Sequence, residues 1–227
     1  MIALIDSDIL CYRVGFATNE DTPEAALSTM AIFLEDLVLF DLIDVDGYEL
    51  YLTGKDNYRK EIAVTAPYKG NRTDKEKPVH LQLLRDYLVS AWDAKVSEGQ
   101  EADDDIAIRA TELGDEALIV SLDKDFNQVP GWHYNFVKKE KSYVNAEDGL
   151  RFFYSQILTG DSADNIKGIF RVGPVKAAKM LANAKTEREL YAVCVEAMGA
   201  ERVLENGRLL WLRREEGQLW EPPVEEV

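Results

Sequence analysis

Acidic residues recur in this chain where predicted buried strands end. Asp6 and Asp8 close the apolar run that begins at Ile2, and their spacing places both on one side if the strand stays extended. The other members precede a predicted helix or follow a predicted strand or helix: Glu101, Asp103, Asp104, Asp123, Asp125, Asp161 and Asp164. Ligands of open α/β sheets bind beyond the carboxyl ends of the strands, so we expect these nine carboxylates to share one crevice.

Such a cluster predicts a site for divalent cations. Taken alone, Asp103 or Asp123 is more simply interpreted as a helix cap. The whole set is different, because converging carboxylates raise one another's pKa unless cations neutralise them. Oxygen ligands without His or Cys indicate Mg²⁺ or Mn²⁺ rather than Zn²⁺. Two such ions, ~4 Å apart, can activate a water and neutralise a leaving oxygen, which suits phosphoryl transfer.

The net charge of −16, with a pI near 4.6, argues by itself against a nucleic-acid partner. The distribution of charge indicates the opposite. Residues 166–185 include five basic and no acidic residues, and residues 53–79 include seven basic and four acidic residues. The formal count also omits the charge of bound metal ions. Two basic patches therefore suit phosphate binding.

Predicted strands alternate with predicted helices, which favours an α/β fold with a mostly parallel sheet flanked by helices. The predicted strands are residues 2–6, 48–52, 117–122, 132–136 and 142–144. After Gly160 the pattern becomes helical, and alternation over residues 208–214 predicts one more strand. We expect an N-terminal α/β domain at 1–145 and a C-terminal helical part at 146–227.

The composition is typical of a globular protein from a reducing compartment. Hydrophobic residues make up 46% of the chain, enough for a sizeable core. No stretch approaches the ~20 apolar residues of a membrane span, and the N-terminus lacks the basic flank of a signal peptide. Cys11 and Cys194 match no ligand spacing and are expected as reduced core residues. We expect a cytoplasmic monomer without a membrane partner.

Five motifs together resemble the flap endonuclease and 5′-exonuclease family, which includes the 5′-nuclease domain of bacterial DNA polymerase I and free-standing bacteriophage exonucleases. The acidic motifs are Glu101-Ala-Asp103-Asp104, Ser121-Leu-Asp123-Lys-Asp125-Phe and Leu158-Thr-Gly-Asp161-Ser-Ala-Asp164-Asn-Ile-Lys-Gly168. The other two are Tyr58-Arg59-Lys60-Glu61 and Tyr68-Lys69-Gly70-Asn71-Arg72. Each is weak alone, but five in the same order over residues 1–185 are specific. The compact length most resembles the phage proteins.

The resemblance implies a PIN-like 5′-nuclease fold and two-metal hydrolysis of phosphodiester bonds by a 5′-3′ exonuclease or flap endonuclease. The substrate would be DNA, or an RNA primer, with a 5′ single-stranded end, flap or nick. One metal neighbourhood would comprise Asp6, Glu101, Asp103 and Asp104, and the other Asp123, Asp125, Asp161 and Asp164. Lys69 and Arg72 would be catalytic, at the base of a short arch formed by residues 67–98.

A helix–two-turn–helix element at 161–182, often with a K⁺ ion, is also implied by the resemblance. The implied DNA-binding residues are Arg59, Lys69, Arg72, Lys167, Gly168, Arg171, Gly173, Lys176 and Lys179. The glycines permit close backbone approach to phosphates, and the cations position the duplex without selecting a sequence. A solvated lysine-rich helix would have the same composition.

The chain departs from the family after the second strand, where an aspartate is usual and this sequence has Thr53 and, further on, Asp56. Asp8 is an extra carboxylate and a candidate ligand that could compensate. A haloacid dehalogenase-type phosphatase would use Asp6 and Asp8 as nucleophile and acid, but leaves Glu101 and the basic glycine turn unexplained. A non-catalytic binder of branched DNA would gain affinity by losing the carboxylates. A PIN-type ribonuclease would lack the element at 166–179.

Overall fold

The computed structural model describes residues 1–72 and 76–223, and within these ranges a six-stranded sheet has the order β3-β2-β1-β4-β5-β6. The strands are β1 (Ile2–Asp6), β2 (Gly47–Leu52), β3 (Lys95–Val96), β4 (Ala117–Val120), β5 (Gly131–Asn135) and β6 (Glu140–Val144). The β5–β6 pair is antiparallel and the other pairs are parallel. In the register of the central strands, Ile5 lies between Leu50 and Val120. The predicted fold class is confirmed.

Helices cover both faces of this sheet because the side chains of its central strands alternate between two cores. The covering helices are α1 (Ser7–Ala17), α2 (Pro23–Asp36), α4 (Leu81–Trp92) and α5 (Ala102–Leu113), whereas the short helix α3 (Arg59–Ile62) packs against the C-terminal part. Ala3 and Ile5 pack into the core that includes α1, α2 and α4, whereas Leu4 packs with α5. Strand β1 is therefore held from both sides, and its last residue, Asp6, lies where the parallel strands have their carboxyl ends.

In the C-terminal part, three helices pack against a fourth, α6 (Ala146–Thr159), and a short hairpin lies beside them within the described residues. The three helices are α7 (Pro174–Leu181), α8 (Glu187–Met198) and α9 (Ala200–Leu210), and the hairpin is β7 (Gly160–Asp161) with β8 (Ile166–Lys167). The predicted strand at 208–214 is wrong. Its first residues belong to α9, whose buried Val203, Gly207 and Leu210 recur at helical spacing.

Both cysteines are free and buried, as expected. Burial raises the pKa of the thiols of Cys11 and Cys194 to about 12, so neither is reactive at neutral pH. Among the described helices, none is long and apolar enough to cross a membrane.

Candidate active site

A cleft of about 1000 Å³ opens at the carboxyl ends of β1, β2 and β4. Parallel strands end at the same sheet edge, and so acids that are distant in sequence meet there. Eight of the nine predicted carboxylates line it: Asp6, Asp8, Glu101, Asp103, Asp123, Asp125, Asp161 and Asp164. The predicted crevice therefore exists.

Asp6 ends β1 and at once caps α1. Its carboxylate accepts hydrogen bonds from the Ile9 amide at 3.4 Å and from the Ser121 hydroxyl at 2.7 Å. Because α1 begins at Ser7, Asp8 lies in its first turn and the extended arrangement expected for the pair is not formed. Burial, with the charges of Asp8 and Asp123, raises the pKa of Asp6 to about 7.

The carboxyl groups of Asp103 and Asp125 also have raised pKa values. Burial and the charges of Asp6 and Glu101 hold the pKa of Asp103 well above its usual range. Burial and the charge of Asp123 raise the pKa of Asp125 to about 7. Helix α5 is capped by Glu101 rather than by Asp103, because α5 begins at Ala102. The capping interpretation thus does not account for Asp103.

Basic and hydroxyl groups from the 68–72 segment and Lys124 interleave with the acids. Lys69 bonds Glu101, and its Nζ lies 3.9 Å from Asp164 Oδ1. The Tyr68 hydroxyl donates to Glu101 at 2.7 Å, and Arg72 Nη2 donates to Asp164 at 2.6 Å. Burial alone would raise the pKa of Glu101, but Lys69 and Arg59 lower it overall. These contacts offset more of the negative charge of Glu101 and Asp164 than is offset at Asp103.

Lys124 was missed by the sequence analysis, although it lies between two motif aspartates. Its Nζ is 2.7 Å from Asp161 Oδ2 and 3.9 Å from Asp125 Oδ1. Burial acts to raise the pKa of Asp161, and Lys124 lowers it overall. Lys124 therefore adds positive charge to the second acidic group.

Two predicted site residues lie outside the cleft, and both predictions are corrected. Asp104 is fully buried, and its oxygens accept from Arg59 Nη1 at 2.5 Å and Nη2 at 2.8 Å. Arg59 is only 1% exposed. Asp104 therefore has no carboxylate oxygen facing a metal in the cleft, and Arg59 has no surface for DNA.

Asp8 lies beside the end of β2, where the family aspartate is missing. It accepts from the Thr53 amide at 2.8 Å and also from Arg85 on α4. Asp56 lines the same cleft. Arg85 neutralises Asp8, so Asp8 is a weaker metal candidate than Asp6 or Asp103. Arg85 lies in no motif, and no sequence signal pointed to it.

The cluster has the chemistry of a site for hard cations. Within the described residues, no three acidic, His or Cys side chains already enclose a metal-sized space. The donors are nevertheless all carboxylates, and burial together with neighbouring carboxylates raises the pKa values of Asp6, Asp103 and Asp125. Divalent cations with a preference for oxygen fit this donor set.

The predicted duplex-binding element includes the β7–β8 hairpin and α7. Lys167, Arg171, Lys176 and Lys179 are exposed, and Gly173 has open space where a Cβ would be. Gly168 is different: a Cβ there would lie 2.1 Å from the Thr159 carbonyl carbon. Gly168 thus serves a close backbone contact within the chain, and its approach to phosphates stays a prediction. Of the arch region 67–98, residues 73–75 lie outside the described part.

Comparisons with known proteins agree with the motif resemblance. No protein-family model matches the chain. Similar proteins include DNA polymerase I of Bacillus caldotenax, 26% identical over 87% of this chain and 25% of that protein. A 5′-3′ exonuclease of Buchnera aphidicola is 25% identical, with 84% of this chain and 72% of the relative covered. Flap endonuclease Xni of Shewanella baltica is 31% identical, with 64% and 56% covered. The chain thus spans a quarter of the polymerase and about half of Xni.

Solved structures share the fold. The bacteriophage T5 flap endonuclease, in a pseudo-enzyme-product complex with DNA and metal ions, has a TM-score of 0.67 at 18% identity, with 92% of this chain and 88% of that chain covered. The Rad2 catalytic core with DNA substrate has a TM-score of 0.51 at 18% identity, with 84% and 64% covered. At these identities the likeness concerns the fold.

Proposed function

We propose that this chain is a metal-dependent nuclease that hydrolyses phosphodiester bonds of DNA near 5′ ends, as a 5′-3′ exonuclease or flap endonuclease. The main support is the cleft, whose half-buried carboxylates Asp103 and Asp125 have raised pKa values and whose lining also includes Lys69 and Arg72. Relatives named for these activities add support. Solved structures of the same fold contain DNA and divalent metal ions.

The carboxylates divide into two groups that would hold two Mg²⁺ or Mn²⁺ ions. Asp6, Glu101 and Asp103 form one group, and the other comprises Asp123, Asp125, Asp161 and Asp164. When bound, such ions supply a water of lowered pKa and stabilise the leaving oxygen. Lys69 and Arg72 provide fixed donors for the scissile phosphate, because they are already held at the cleft by Glu101 and Asp164.

The duplex part of the substrate would lie on the surface from β8 to α7. Its exposed cations, Lys167, Arg171, Lys176 and Lys179, have no acidic residue between them in sequence, so phosphate contacts suit it. A K⁺ ion in this element, a short arch over the single strand, and action as a cytoplasmic monomer remain parts of the same proposal.

The decisive experiment uses 5′-labelled flap DNA with the purified protein, in Mg²⁺ and in excess EDTA. We expect short 5′ products in Mg²⁺ and none in EDTA. Release of inorganic phosphate alone would indicate a phosphatase, and a gel shift without cleavage would indicate a non-catalytic binder. Undiminished cleavage in EDTA would rule out the metal mechanism.

A further inference from the structure

Residues 209–214, here called the C-terminal strap, connect to both sides of the cleft through buried side chains. The strap ends α9 and continues beyond it. On one side it contacts Arg59 and Asp104, and on the other it contacts Gln128. Arg59, Asp104, Gln128 and Gln156 are each at most 5% exposed.

The first connection leads from the strap to Glu101. Arg59 donates to the carbonyls of Leu209 at 2.9 Å and Trp211 at 2.8 Å. Asp104 accepts from the Arg213 amide at 3.1 Å and, through its other oxygen, from the Glu101 amide at 3.2 Å. The ion pair between Arg59 and Asp104 joins these bonds into one network. The start of α5, and with it Glu101, is therefore tied to the strap.

The second connection leads from the strap to Asp125. The Leu212 amide donates to Gln128 Oε1, and Gln128 Nε2 donates to the Leu210 carbonyl, both at 2.9 Å. Gln128 Nε2 also lies 3.5 Å from Gln156 Oε1. Gln156 Nε2 in turn donates to Asp125 Oδ1 at 2.6 Å. This bond restricts rotation of a carboxylate in the cleft.

Stability alone does not explain why these groups are polar. Well-packed apolar residues often stabilise a core as well as a buried ion pair does, whereas a fully satisfied polar network fixes one arrangement. One network ends on the backbone amide of Glu101, whose carboxylate lies in the cleft, and the other ends on the carboxylate of Asp125. Partners that hydrogen-bond metal ligands from behind set the orientation of those ligands and hence metal affinity.

We propose that the C-terminal strap positions the carboxylates of both sides of the cleft, and that Gln156 is the positioning residue for Asp125. This inference rests on the proposed function, since it takes Asp125 as a metal ligand. The strap would therefore set metal affinity without touching metal or DNA.

The test compares wild type with Gln156→Met, which keeps the length of the side chain and removes the donor. Mn²⁺ binding is measured by calorimetry without DNA, and the Mg²⁺ dependence of single-turnover cleavage is measured in parallel. We expect Gln156→Met to bind Mn²⁺ about tenfold more weakly, as for other partners of metal ligands. The half-saturating Mg²⁺ concentration should rise similarly, while the rate at saturating Mg²⁺ changes less. Glu196→Met, an exposed side chain of similar length on α8 and outside the cleft, is the control and should match wild type.

The outcomes separate the two proposals. A wild-type protein that binds no Mn²⁺ would count against the proposed function. A wild type that binds Mn²⁺ and a folded Gln156→Met that binds it equally well would overturn the positioning role alone. If Gln156→Met fails to fold, Gln128→Met decides, because it breaks the link to the strap and leaves the bond to Asp125; we expect its Mn²⁺ binding to be weaker than that of wild type, by less than about tenfold. Unchanged binding there, or unfolding of both variants, would also overturn the inference.

Discussion

Asp6, Asp103 and Asp125 are acids whose negative charge is only partly compensated by neighbouring groups. Burial is the main cause, and the nearby carboxylates add repulsion. An acid held in this way destabilises the fold when it ionises, whereas an acid that serves only as a helix cap stabilises it. A residue retained for its chemistry and one retained for stability can therefore be distinguished by mutation.

We predict that Asp125→Asn loses cleavage activity by ~10³-fold or more while keeping the fold. A metal ion contributes several kcal/mol to the transition state, and 1.4 kcal/mol is tenfold in rate. In EDTA at pH 8 the melting temperature should stay equal or rise, because the ionised carboxylate is removed. Paired thermal melts and flap cleavage measure both effects. Asp44→Asn, exposed before β2, is the control. Wild-type cleavage by Asp125→Asn would show that Asp125 has no catalytic part.

Lys69→Ala should lower the single-turnover rate at saturating DNA by ~10²-fold or more, as for loss of one transition-state donor. Its affinity for DNA should change little, because many phosphate contacts remain. Rapid-quench cleavage with gel-shift titration of the same flap substrate separates rate from binding. Lys138→Ala, on the exposed turn between β5 and β6, should leave both unchanged. A large loss of affinity at an unchanged rate would assign Lys69 to binding instead.

At the scale of elements, Gly168 beside the β7–β8 hairpin and Gly173 at the start of α7 have different roles, although both were predicted to approach phosphates. Gly160 has a positive φ of 67° and lies against Gly168, so the hairpin closes only without side chains there. This closure sets the position of Asp161 in the cleft. Gly173 instead caps α7 at an ordinary φ of −99°, facing open space.

Gly168→Ala and Gly173→Ala should therefore behave differently. Gly168→Ala should destabilise the protein by more than ~1 kcal/mol, because its Cβ meets backbone atoms that cannot move aside. Gly173→Ala should melt at the wild-type temperature or slightly above and bind duplex DNA more weakly. Thermal melts and gel shifts on both variants test this. Equal melting temperatures would refute the distinction.

Changing both Lys176 and Lys179 to Ala should weaken DNA binding and flatten its salt dependence. Each lost phosphate contact removes about one unit from the slope of log affinity against log salt. The single-turnover rate at saturating DNA should change little, because α7 is remote from the carboxylates in the proposed complex. Titrations at several salt concentrations provide the slope. A slope equal to that of wild type would mean that these lysines form only a solvated face.

At the scale of the whole molecule, the net charge of −16 lies partly in a cluster that folding brings together. The pKa values of Asp6 and Asp125 rise to about 7, whereas those of Glu101, Asp104 and Asp161 fall. The two groups act in different pH ranges. Lowered pKa values add stability that is lost in acid, and raised ones remove stability as pH increases toward 7.

We predict that the metal-free protein loses stability as the pH rises from about 4 to about 7. In this range Asp6 and Asp125 ionise in the folded state although they are already ionised in the unfolded state, so the folded state is penalised. Mn²⁺ should reverse the loss, because a ligand that binds only the folded state stabilises it by mass action. Urea denaturation at several pH values, in EDTA and in Mn²⁺, measures the free energy of unfolding. A metal-free stability that does not fall over this range would contradict the predicted repulsion.

Local sequence was sufficient for the features that depend on neighbouring residues. Apolar runs such as Ile2–Asp6 predicted five of the six strands of the described sheet and missed β3, and acids placed after them predicted the cleft, because parallel strands end at the same side of a sheet. Which residues of α5 face the cleft could not be deduced from the neighbouring sequence. Asp103 and Asp104 are consecutive, yet only Asp103 faces the cleft, since successive helix residues point ~100° apart and Glu101 sets the start.

Contacts across long separations were decided only by the tertiary structure. Arg59 was predicted to bind DNA, but it is buried and bonds Asp104 and the carbonyl of Leu209, which lies 150 residues further along the chain. Arg85 with Asp8 and Gln156 with Asp125 are likewise hydrogen-bonded pairs that only the fold brings together. A side-chain charge or amide has no preferred partner until folding brings one within hydrogen-bonding distance. The acids of the cleft could therefore be predicted from sequence, whereas the groups that hold and balance them could not.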